Sequence, residues 1–347
     1  MLTPKQEYKL QKKYLDTIKD RAFYSLRSIL GNNWAIFYVL IGARQAGKSY
    51  AVMDYLLKQF TTKEAKNYWF RLTDSSAKKL LKNNAAKLID PDLARKYNVE
   101  CKVKGNDVYV GKKVFCSVLA VSNFYNDKGN AYYDKDYHGW INIVLDEMNR
   151  EQNEKNTFDI VYSFVNQVEN VARNRKDKIR VFLIGNDLQE ASDIMTSFNF
   201  LPETFGRYYL RKKRCVVDYY EPTEAYCKMR EGSIADLLQP DSSTFTNMVE
   251  VDRSLVDKRR LKSVTAVLIF SKNKEDWFAI YDNLVIKRYN GETTKNNIYM
   301  RPYLDGPFSV ELRDNVYQRY DAQMFRFRDL ITQKLFKKQL ELLKQRK

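Results

Sequence analysis

A glycine-rich loop between a buried strand and a helix constrains the fold of this chain more than any other feature. Residues 42–49 read GARQAGKS and directly follow the apolar run AIFYVLI at 35–41. In a loop of this kind the backbone N–H groups wrap phosphate oxygens, the lysine reaches the terminal phosphates and the serine hydroxyl ligates magnesium. The residues from Tyr50 onward have helical spacing. The sequence therefore predicts a strand, a phosphate-binding loop and a helix that together bind ATP and Mg²⁺.

The nucleotide is expected to contact the loop and the first residue after it. The predicted nucleotide-binding residues are Gly42, Ala43, Arg44, Gln45, Ala46, Gly47, Lys48, Ser49 and Tyr50. Lys48 is expected to reach the β and γ phosphates, and Ser49 to ligate the metal. Arg44 has two open interpretations: an arginine supplied in cis to the phosphates, or a side chain directed to solvent.

A second apolar strand, residues 141–145, ends in the consecutive acids Asp146 and Glu147. Asp146 is expected to hold the magnesium ion through water, and Glu147 to polarise the attacking water as a general base. Small-molecule kinases and switch GTPases usually carry a single acid here. The pair therefore favours an oligomeric ATPase of the class that has a catalytic glutamate and an additional strand between the two motifs.

Two polar residues extend the predicted site. Arg173 ends a helical pattern at residues 155–172, and Asn186 follows the next apolar strand. Arg173 is expected to reach the nucleotide of a neighbouring subunit and to stabilise transition-state charge there; the alternative is a solvated helix end. Asn186 is expected to sense the γ-phosphate or the lytic water; the alternative is a turn residue.

The charge of the chain predicts a polyanionic partner. Its 347 residues carry a net charge of +17 and give a pI of about 9.4, which favours nucleic acid beside a nucleotide site. Candidate contacts are Lys78 and Lys79 on a helix, Lys128 in the polar loop 122–137, and Arg71 at the end of the second strand, where it could couple nucleotide to DNA. A solvated lysine face is the alternative for each lysine.

Strands and helices alternate up to about residue 200, which predicts an α/β domain with a mostly parallel sheet covered on both faces. The expected boundaries are a P-loop ATPase domain at 1–200 with a leading basic helix at 5–30, a linker at 201–214, and a second α+β domain at 215–347 with a meander and a closing helix at 315–345. Four cysteines without Cys-x-x-Cys spacing, and no apolar stretch of membrane-spanning length, predict a soluble protein with reduced thiols.

The order and spacing of these motifs resemble the genome-packaging ATPases of small short-tailed bacteriophages with protein-primed linear DNA, the Salasvirus-type motors. The resemblance covers nearly the whole chain and rests on residues 39–51, 128–132, 144–147 and 173–175, followed by the strand that ends in Asn186. It implies a homomeric ring, expected to be a pentamer, that docks on the portal of an empty procapsid in the host cytoplasm and drives double-stranded DNA inward. It also implies that Arg173 acts in trans, and that a structural packaging RNA is a partner.

The second domain resembles the nuclease-like domain of phage terminases, which has a ribonuclease-H-type fold. Two-metal cleavage needs three or more converging carboxylates, and the strands at 264–270 and 277–281 contain no acid. Asp218, Asp252, Asp276 and Asp282 lie near strand edges but beside turns. We therefore expect a vestigial nuclease that binds nucleic acid without cutting it.

Two other classes of function remain open from the sequence. A helicase-type translocase would use aromatic platforms for single-stranded bases, and 25 tyrosines are present. A nucleotide-dependent nucleic-acid-binding scaffold would need little or no turnover. Replacing Glu147 by Gln discriminates between the scaffold and a motor, because only a motor should stall.

Overall fold

The computed structural model describes residues 21–126, 134–149, 158–186, 192–202, 204–234, 237, 254–294, 298–302 and 307–344. The chain forms two compact units. The first unit contains most of the chain up to Val249, and the second contains Glu250–Lys347 with two short preceding segments. Lys128 and Asp252 lie outside the described residues.

The first unit contains a large mixed sheet with helices. Its strands are β1 (Phe37–Ile41), β2 (Lys66–Arg71), β3 (Cys101–Lys104), β4 (Asp107–Val110), β5 (Lys113–Ala120), β6 (Ile141–Asp146), β7 (Ile179–Gly185), β8 (Gly206–Leu210) and β9 (Cys215–Tyr219). Its helices are α1 (Arg27–Leu30), α2 (Lys48–Lys63), α3 (Asp74–Ala85), α4 (Pro91–Tyr97), α5 (Ile160–Ala172), α6 (Asp193–Ser197) and α7 (Glu224–Arg230).

The nine strands are ordered β3-β4-β5-β2-β6-β7-β1-β9-β8. The six central strands from β5 to β9 pair in parallel, whereas β3, β4 and β8 are antiparallel additions at the two sides. Because β7 separates β1 from β6, the two predicted motif strands are not neighbours. Their carboxyl ends nevertheless meet at one edge, since Ile41 pairs with Gly185 and Asp146 with Ile184.

The central strands are buried on both faces, and this explains their continuous apolar sequences. Every residue of β6, from Ile141 to Asp146, is buried. On one face Trp69 and Phe182 belong to a core that also contains Val52 and Leu56 of α2. On the other face the ring of Phe70 packs edge-on against Phe164 of α5, with the ring centroids 5.9 Å apart.

The strand at Cys215–Tyr219 belongs to the first unit, whereas the sequence predicted that it begins the second domain. We expected a linker at 201–214 and the second domain from residue 215, but β9 pairs in parallel with β1 and β8 pairs with β9. Both strands therefore complete the first sheet. The physical reason is that Cys215, Val216 and Val217 are completely buried beside β1, and their apolar run suits an interior parallel strand as well as a meander.

The second unit is a five-stranded sheet covered by helices. Its elements are β10 (Val264–Ile269), β11 (Trp277–Tyr281), β12 (Val285–Arg288), β13 (Tyr299–Met300), α8 (Pro307–Asp321), β14 (Arg326–Phe327) and α9 (Leu330–Lys344). The strand order is β13-β10-β11-β12-β14, and the predicted antiparallel meander is present as β10, β11 and β12. The ring of Phe336 on α9 packs edge-on against Phe270 and Phe278, which anchors the helix to the sheet.

Several predicted helices are shorter than the sequence pattern suggested. The pattern at 75–98 forms α3 and α4, because Pro91 begins a new helix that is capped by the Asp90 carboxylate. The predicted closing helix at 315–345 is interrupted between α8 and α9 by strand β14, which pairs with β12. Of the predicted leading helix, only Arg27–Leu30 is helical among residues 21–30.

No helix within the described ranges is long and apolar enough to span a membrane.

Candidate nucleotide-binding site

The loop between β1 and α2 has the geometry of an anion-binding turn. Gln45 and Gly47 have positive φ angles of 62° and 82°, so the chain turns sharply before Lys48 begins α2. A Cβ atom on Gly42 would lie 3.1 Å from the Tyr220 Cβ, so a larger residue there would push against the chain after β9. The loop leads into the N-terminus of a helix of 16 residues. Its free backbone N–H groups and helix dipole favour a phosphate at this position.

The Lys48 side chain lies inside the loop rather than in solvent. Its Nζ atom donates hydrogen bonds to the backbone oxygens of Gly42 at 2.7 Å and Ala43 at 2.6 Å, and the residue is 5% exposed. Asn186 Oδ1 lies 3.5 Å from the same Nζ atom. The ammonium group is therefore positioned between the loop and the residue that follows β7. This is where a lysine must be placed to reach terminal phosphates.

Ser49 and Asp146 are brought together although 97 positions separate them in the sequence. Ser49 Oγ donates a hydrogen bond of 3.1 Å to Asp146 Oδ1. Glu147 follows Asp146 with a positive φ of 59°, so the chain turns away from the strand direction directly after β6. The Asp146 carboxylate is 6% exposed and the Glu147 carboxylate is 58% exposed, so the first faces the protein interior and the second faces the open part of the site.

Arg71 bridges the two acids. Its Nη2 atom lies 2.8 Å from Asp146 Oδ2, and its Nη1 atom pairs with Glu147 Oε2. The arginine side chain is 13% exposed. Phe70 pairs with Leu145 across β2 and β6, which places the next residue of each strand at the same sheet edge. From the sequence, Arg71 was expected to couple nucleotide to DNA. In the structure both ends of its guanidinium pair with carboxylates of the nucleotide site, and its contact with DNA stays a prediction.

Burial raises the pKa of the Asp146 carboxyl above its ordinary value. The positive charge of Arg71 opposes this shift, the negative charge of Glu147 adds to it, and the Ser49 hydrogen bond and Lys48 lower the pKa. The ionised carboxylate therefore depends on its cationic neighbours, and a divalent cation would act in the same direction.

These groups line one pocket at the carboxyl edge of the sheet. Its lining consists of Gln45, Ala46, Gly47, Lys48, Ser49, Tyr50, Arg71, Asp146, Glu147, Ile184, Gly185 and Asn186. Ser49 Oγ and Asp146 Oδ1 supply two oxygen ligands on one side of it, which fits Mg²⁺, since this ion is usually held by one or two protein oxygens together with waters and substrate phosphates. The arrangement can bind a Mg²⁺–nucleotide complex and place the Glu147 carboxylate beside it.

The outer side of the loop is braced by the segment that follows β9. Tyr226 on α7 donates a hydrogen bond of 2.6 Å from its hydroxyl to the Arg44 backbone oxygen, and Arg230 Nη1 donates to the Tyr226 hydroxyl at 2.7 Å. The Tyr24 N–H donates to the Ala46 oxygen at 2.7 Å. The Arg44 side chain is exposed and the pocket lining begins at Gln45. The loop conformation thus depends on residues on either side of it that carry no recognisable motif.

Arg173 lies far from the pocket of its own chain. It follows α5, whose 13 residues extend about 20 Å. Two residues later, Arg175 donates hydrogen bonds to the backbone oxygens of Tyr137 and Gly139, just before β6 begins. This is the amino-terminal edge of the parallel strands, opposite the pocket. The structure therefore brings Lys48, Ser49, Asp146, Glu147 and Asn186 together but not Arg173.

The other predicted nucleic-acid contacts lie on α3. Lys78 is exposed and forms an ion pair of 2.6 Å with Asp74, one helical turn earlier. This pair lowers the pKa of the Asp74 carboxyl, to which Asn123 also donates a hydrogen bond. Lys79 is exposed as well. A lysine already paired with a carboxylate attracts phosphate less strongly, so Lys79 is the better candidate of the two.

Sequence alone did not indicate that Arg71 pairs with both acids, nor that α7 braces the loop. Arg71 could have been found from the strand order, because β2 neighbours β6 and both strands end at the same edge. Tyr226 and Arg230 are separated from the loop by about 180 positions, as the hydrogen bonds to Arg44 show. Their sequence offers no signal of that contact.

Comparisons with known proteins place these features in a family. The family model described as Podovirus DNA encapsidation protein (Gp16) matches residues 18–303. The DNA packaging proteins of Bacillus phage PZA and Bacillus phage phi29 are each 27% identical over 190 residues, which is 54% of this chain and 53% of each relative. The match thus spans about half the length of these curated relatives. A chain of the solved bacteriophage Phi-29 viral genome packaging motor assembly shares the fold, with a TM-score of 0.66 and 18% identity over 93% of this chain and 100% of that chain.

Proposed function

Because the chain belongs to the family of podovirus DNA encapsidation proteins, we propose that it is an ATP-driven translocase that packages double-stranded DNA into a viral procapsid. One observation carries this proposal: Lys48, Ser49 and the acids Asp146 and Glu147 meet in a single pocket at the carboxyl edge of the sheet. These are the groups that phosphoryl transfer to water requires, namely a phosphate-binding amine, magnesium ligands and a water-orienting carboxylate.

The strand order supports the additional-strand class of P-loop ATPases. Strand β7 lies between β1 and β6, and it ends in Asn186 beside Lys48. Asn186 is thereby positioned to contact the γ-phosphate or the lytic water. In the proposed reaction, Lys48 would bind the terminal phosphates and Glu147 would accept a proton from the attacking water, while Ser49 and Asp146 would hold Mg²⁺, which neutralises phosphate charge when bound.

The position of Arg173 supports a ring of identical chains. The arginine is exposed at the edge opposite its own pocket, so only the nucleotide of another copy is available to it. We propose that Arg173 completes the neighbouring site in trans, and that the ring is a pentamer. The ring would dock on the portal of the procapsid in the host cytoplasm, with a packaging RNA as a further partner.

The second unit is proposed to be a vestigial ribonuclease-H-like domain that binds nucleic acid. The meander of β10, β11 and β12 with β13 added in parallel beside β10 supports this fold. Two carboxylates considered for cleavage have other roles. Asp218 belongs to β9 of the first unit and is paired with Arg207, and Asp276 accepts hydrogen bonds from Ser271 and Gln339.

Steady-state ATP hydrolysis by the full chain tests the motor proposal. The rate is measured alone and with blunt duplex DNA, single-stranded DNA and RNA. We expect stimulation by duplex DNA and, in the Glu147→Gln variant, a loss of turnover by about 100-fold or more with ATP binding retained.

Two outcomes would contradict the proposal. Stimulation by single strands and not by duplex DNA would favour a strand-separating translocase. A Glu147→Gln variant with unchanged turnover and unchanged function would favour a nucleotide-dependent scaffold.

A further inference from the structure

A cluster of six cations lies at the amino-terminal edge of the parallel strands, opposite the nucleotide pocket. It comprises Lys176, Lys178, Arg211, Lys212, Lys213 and Arg214, which we call the basic edge. All six residues are exposed. Two different turns supply them: the turn between α5 and β7, and the turn between β8 and β9.

Contacts between the two turns show that the cluster is continuous. Arg214 Nη1 donates a hydrogen bond of 3.2 Å to the Lys176 backbone oxygen. The same side chain donates from Nε to the Trp34 oxygen at 3.1 Å, and the Arg214 oxygen accepts from the N–H of Phe37 at 3.0 Å. The strand register agrees, since Phe37 of β1 pairs with both Val181 and Cys215.

Three of the six cations, Arg211, Arg214 and Lys178, contact neutral groups. The Arg211 guanidinium lies 4.1 Å from the centroid of the Trp34 ring, and Lys178 Nζ donates to the His138 backbone oxygen at 3.2 Å. Other lysines of the described chain form ion pairs with carboxylates, namely Lys66, Lys78, Lys96, Lys113 and Lys287. Among the described residues, no ion pair involves a residue of the basic edge. The carboxylate of Asp177 is the one acid within the two turns 174–178 and 211–214.

We propose that the basic edge binds the sugar-phosphate backbone of a nucleic acid. Backbone phosphates are regularly spaced anions that several cations can contact at once, with release of bound counterions. Arg211 and Arg214 are pre-oriented by Trp34 and by backbone oxygens, which lowers the conformational entropy lost on binding. The lining of the chain's own nucleotide pocket contains no residue of the basic edge, so the basic edge is a separate site within the chain.

The test uses the full chain without nucleotide and compares two triple variants of equal charge. The test variant is Lys176→Gln/Lys212→Gln/Lys213→Gln, which leaves the side-chain contacts of Arg211 and Arg214 intact. The matched control is Lys102→Gln/Lys104→Gln/Lys112→Gln, whose lysines are exposed on β3 and in the β4–β5 turn, at the far side of the sheet.

Binding is measured with duplex DNA, single-stranded DNA and duplex RNA over a range of salt concentrations. We expect the test variant to bind at least one of these polymers about tenfold or more weakly in 0.1 M salt. With duplex DNA the slope of log K against log salt should fall by about 0.9 for each lysine that contacts a phosphate. The polymer that is affected identifies the nucleic acid that occupies the basic edge. DNA-independent ATP hydrolysis should be unchanged in both variants.

The inference is overturned if the test variant binds every polymer as the control does. It is also overturned if the variant loses self-association, measured by sedimentation, while it keeps nucleic-acid binding, because the basic edge would then contact a second copy of the chain. The inference shares its partner class with the proposed function. The two failures are distinguishable, since a wild-type chain that binds no nucleic acid contradicts the motor, whereas equal binding by the two variants contradicts only the basic edge.

Discussion

Arg71 connects the two acids of the proposed site. It pairs with the buried Asp146 and with the half-exposed Glu147, so one guanidinium fixes the orientation of both carboxylates. Its positive charge also lowers the pKa of Asp146, which burial raises. Arg71 therefore affects the proposed metal ligand, Asp146, through its charge and the proposed general base, Glu147, through its geometry.

Replacing Arg71 with Gln should shift the pH dependence of ATP hydrolysis. Without the guanidinium the pKa of Asp146 rises further, because the opposing charge is lost while burial remains. More of the carboxyl is then protonated at a given pH, and a protonated carboxyl binds Mg²⁺ poorly. We expect the acidic limb of the kcat/KM profile to move to higher pH.

Arg71→Lys is the control for this experiment, because it keeps the charge and loses the forked geometry. Its acidic limb should stay close to that of the wild type even if kcat falls. Equal displacement of the limb in both variants would show that charge is not the cause.

At the residue scale, the sequence predicted the parts of the site that carry a motif. The motifs that contain these residues each come after an apolar strand: the phosphate-binding loop with Lys48 and Ser49 after β1, and Asp146 and Glu147 at the end of β6. The structure brings all four side chains together in one pocket. Arg71 was recognised as a candidate that couples nucleotide to DNA, but its pairing with both acids was not predicted, because an arginine at a strand end has no motif. Its partners depend on which strands are neighbours, which the sequence does not state.

At the scale of elements, α7 supports the phosphate-binding loop from outside. The Tyr226 hydroxyl contacts the Arg44 backbone oxygen, and Arg230 contacts that hydroxyl. A backbone oxygen held in this way limits rotation of the peptide that precedes Gln45, where φ is already positive. Part of the loop conformation is therefore determined by a helix about 180 positions later in the chain.

Replacing Tyr226 with Phe should weaken nucleotide binding without slowing the chemical step. The change keeps the ring and removes two hydrogen bonds, the one that the hydroxyl donates to the Arg44 backbone oxygen and the one that it accepts from Arg230. The bond to the loop contributes about 1 kcal/mol. We expect the KM for ATP to rise about fivefold and kcat to change little, because the loop binds substrate and transition state alike.

Tyr317→Phe is the matched control, since the Tyr317 hydroxyl also donates to a backbone oxygen, that of Leu340 in the second unit. It should lower the free energy of unfolding by a similar amount and leave the KM unchanged. A similar rise of KM in both variants would point to general destabilisation instead of a brace on the loop.

Helices and strands were predicted well where the local pattern of apolar residues determines them. They were predicted poorly where pairing with a distant strand determines them. The apolar runs of β1, β2, β6 and β7 are buried strands. The run at Cys215–Tyr219 is apolar in the same way, yet it belongs to the first sheet because it pairs with β1. The continuous helix expected at 315–345 could not be corrected from propensity, because residues 326–327 pair with β12 across the chain.

For the whole molecule, the proposed trans role of Arg173 would divide each active site between two copies. The pocket lies at one edge of the first sheet, and Arg173 lies at the opposite edge. A contact that joins opposite edges of identical chains is heterologous, and such contacts close into rings when the rotation permits.

Mixtures of two inactive variants test this arrangement. Arg173→Ala chains keep their own pocket intact, and Glu147→Gln chains keep their arginine. Some interfaces in a mixed assembly then combine an intact pocket with an intact arginine, so hydrolysis should partly recover when the two are mixed before assembly. Each variant mixed with additional copies of itself is the control. Absence of recovery at every ratio would contradict a role of Arg173 in trans.

The position of Arg173 after α5 also has a genetic consequence. If the arginine serves the neighbouring pocket, a cell infected by two phages that differ at Arg173 contains mutant chains whose defect appears as lost ATP hydrolysis in the pocket of an adjacent chain. Such a mutation is non-autonomous: its carrier hydrolyses ATP when the neighbour that supplies its arginine is intact, whereas the neighbour whose pocket the carrier should complete loses activity. Selection would then act on adjacent pairs of gene products, and complementation maps of this gene should show allele pairs that rescue each other within a single cistron.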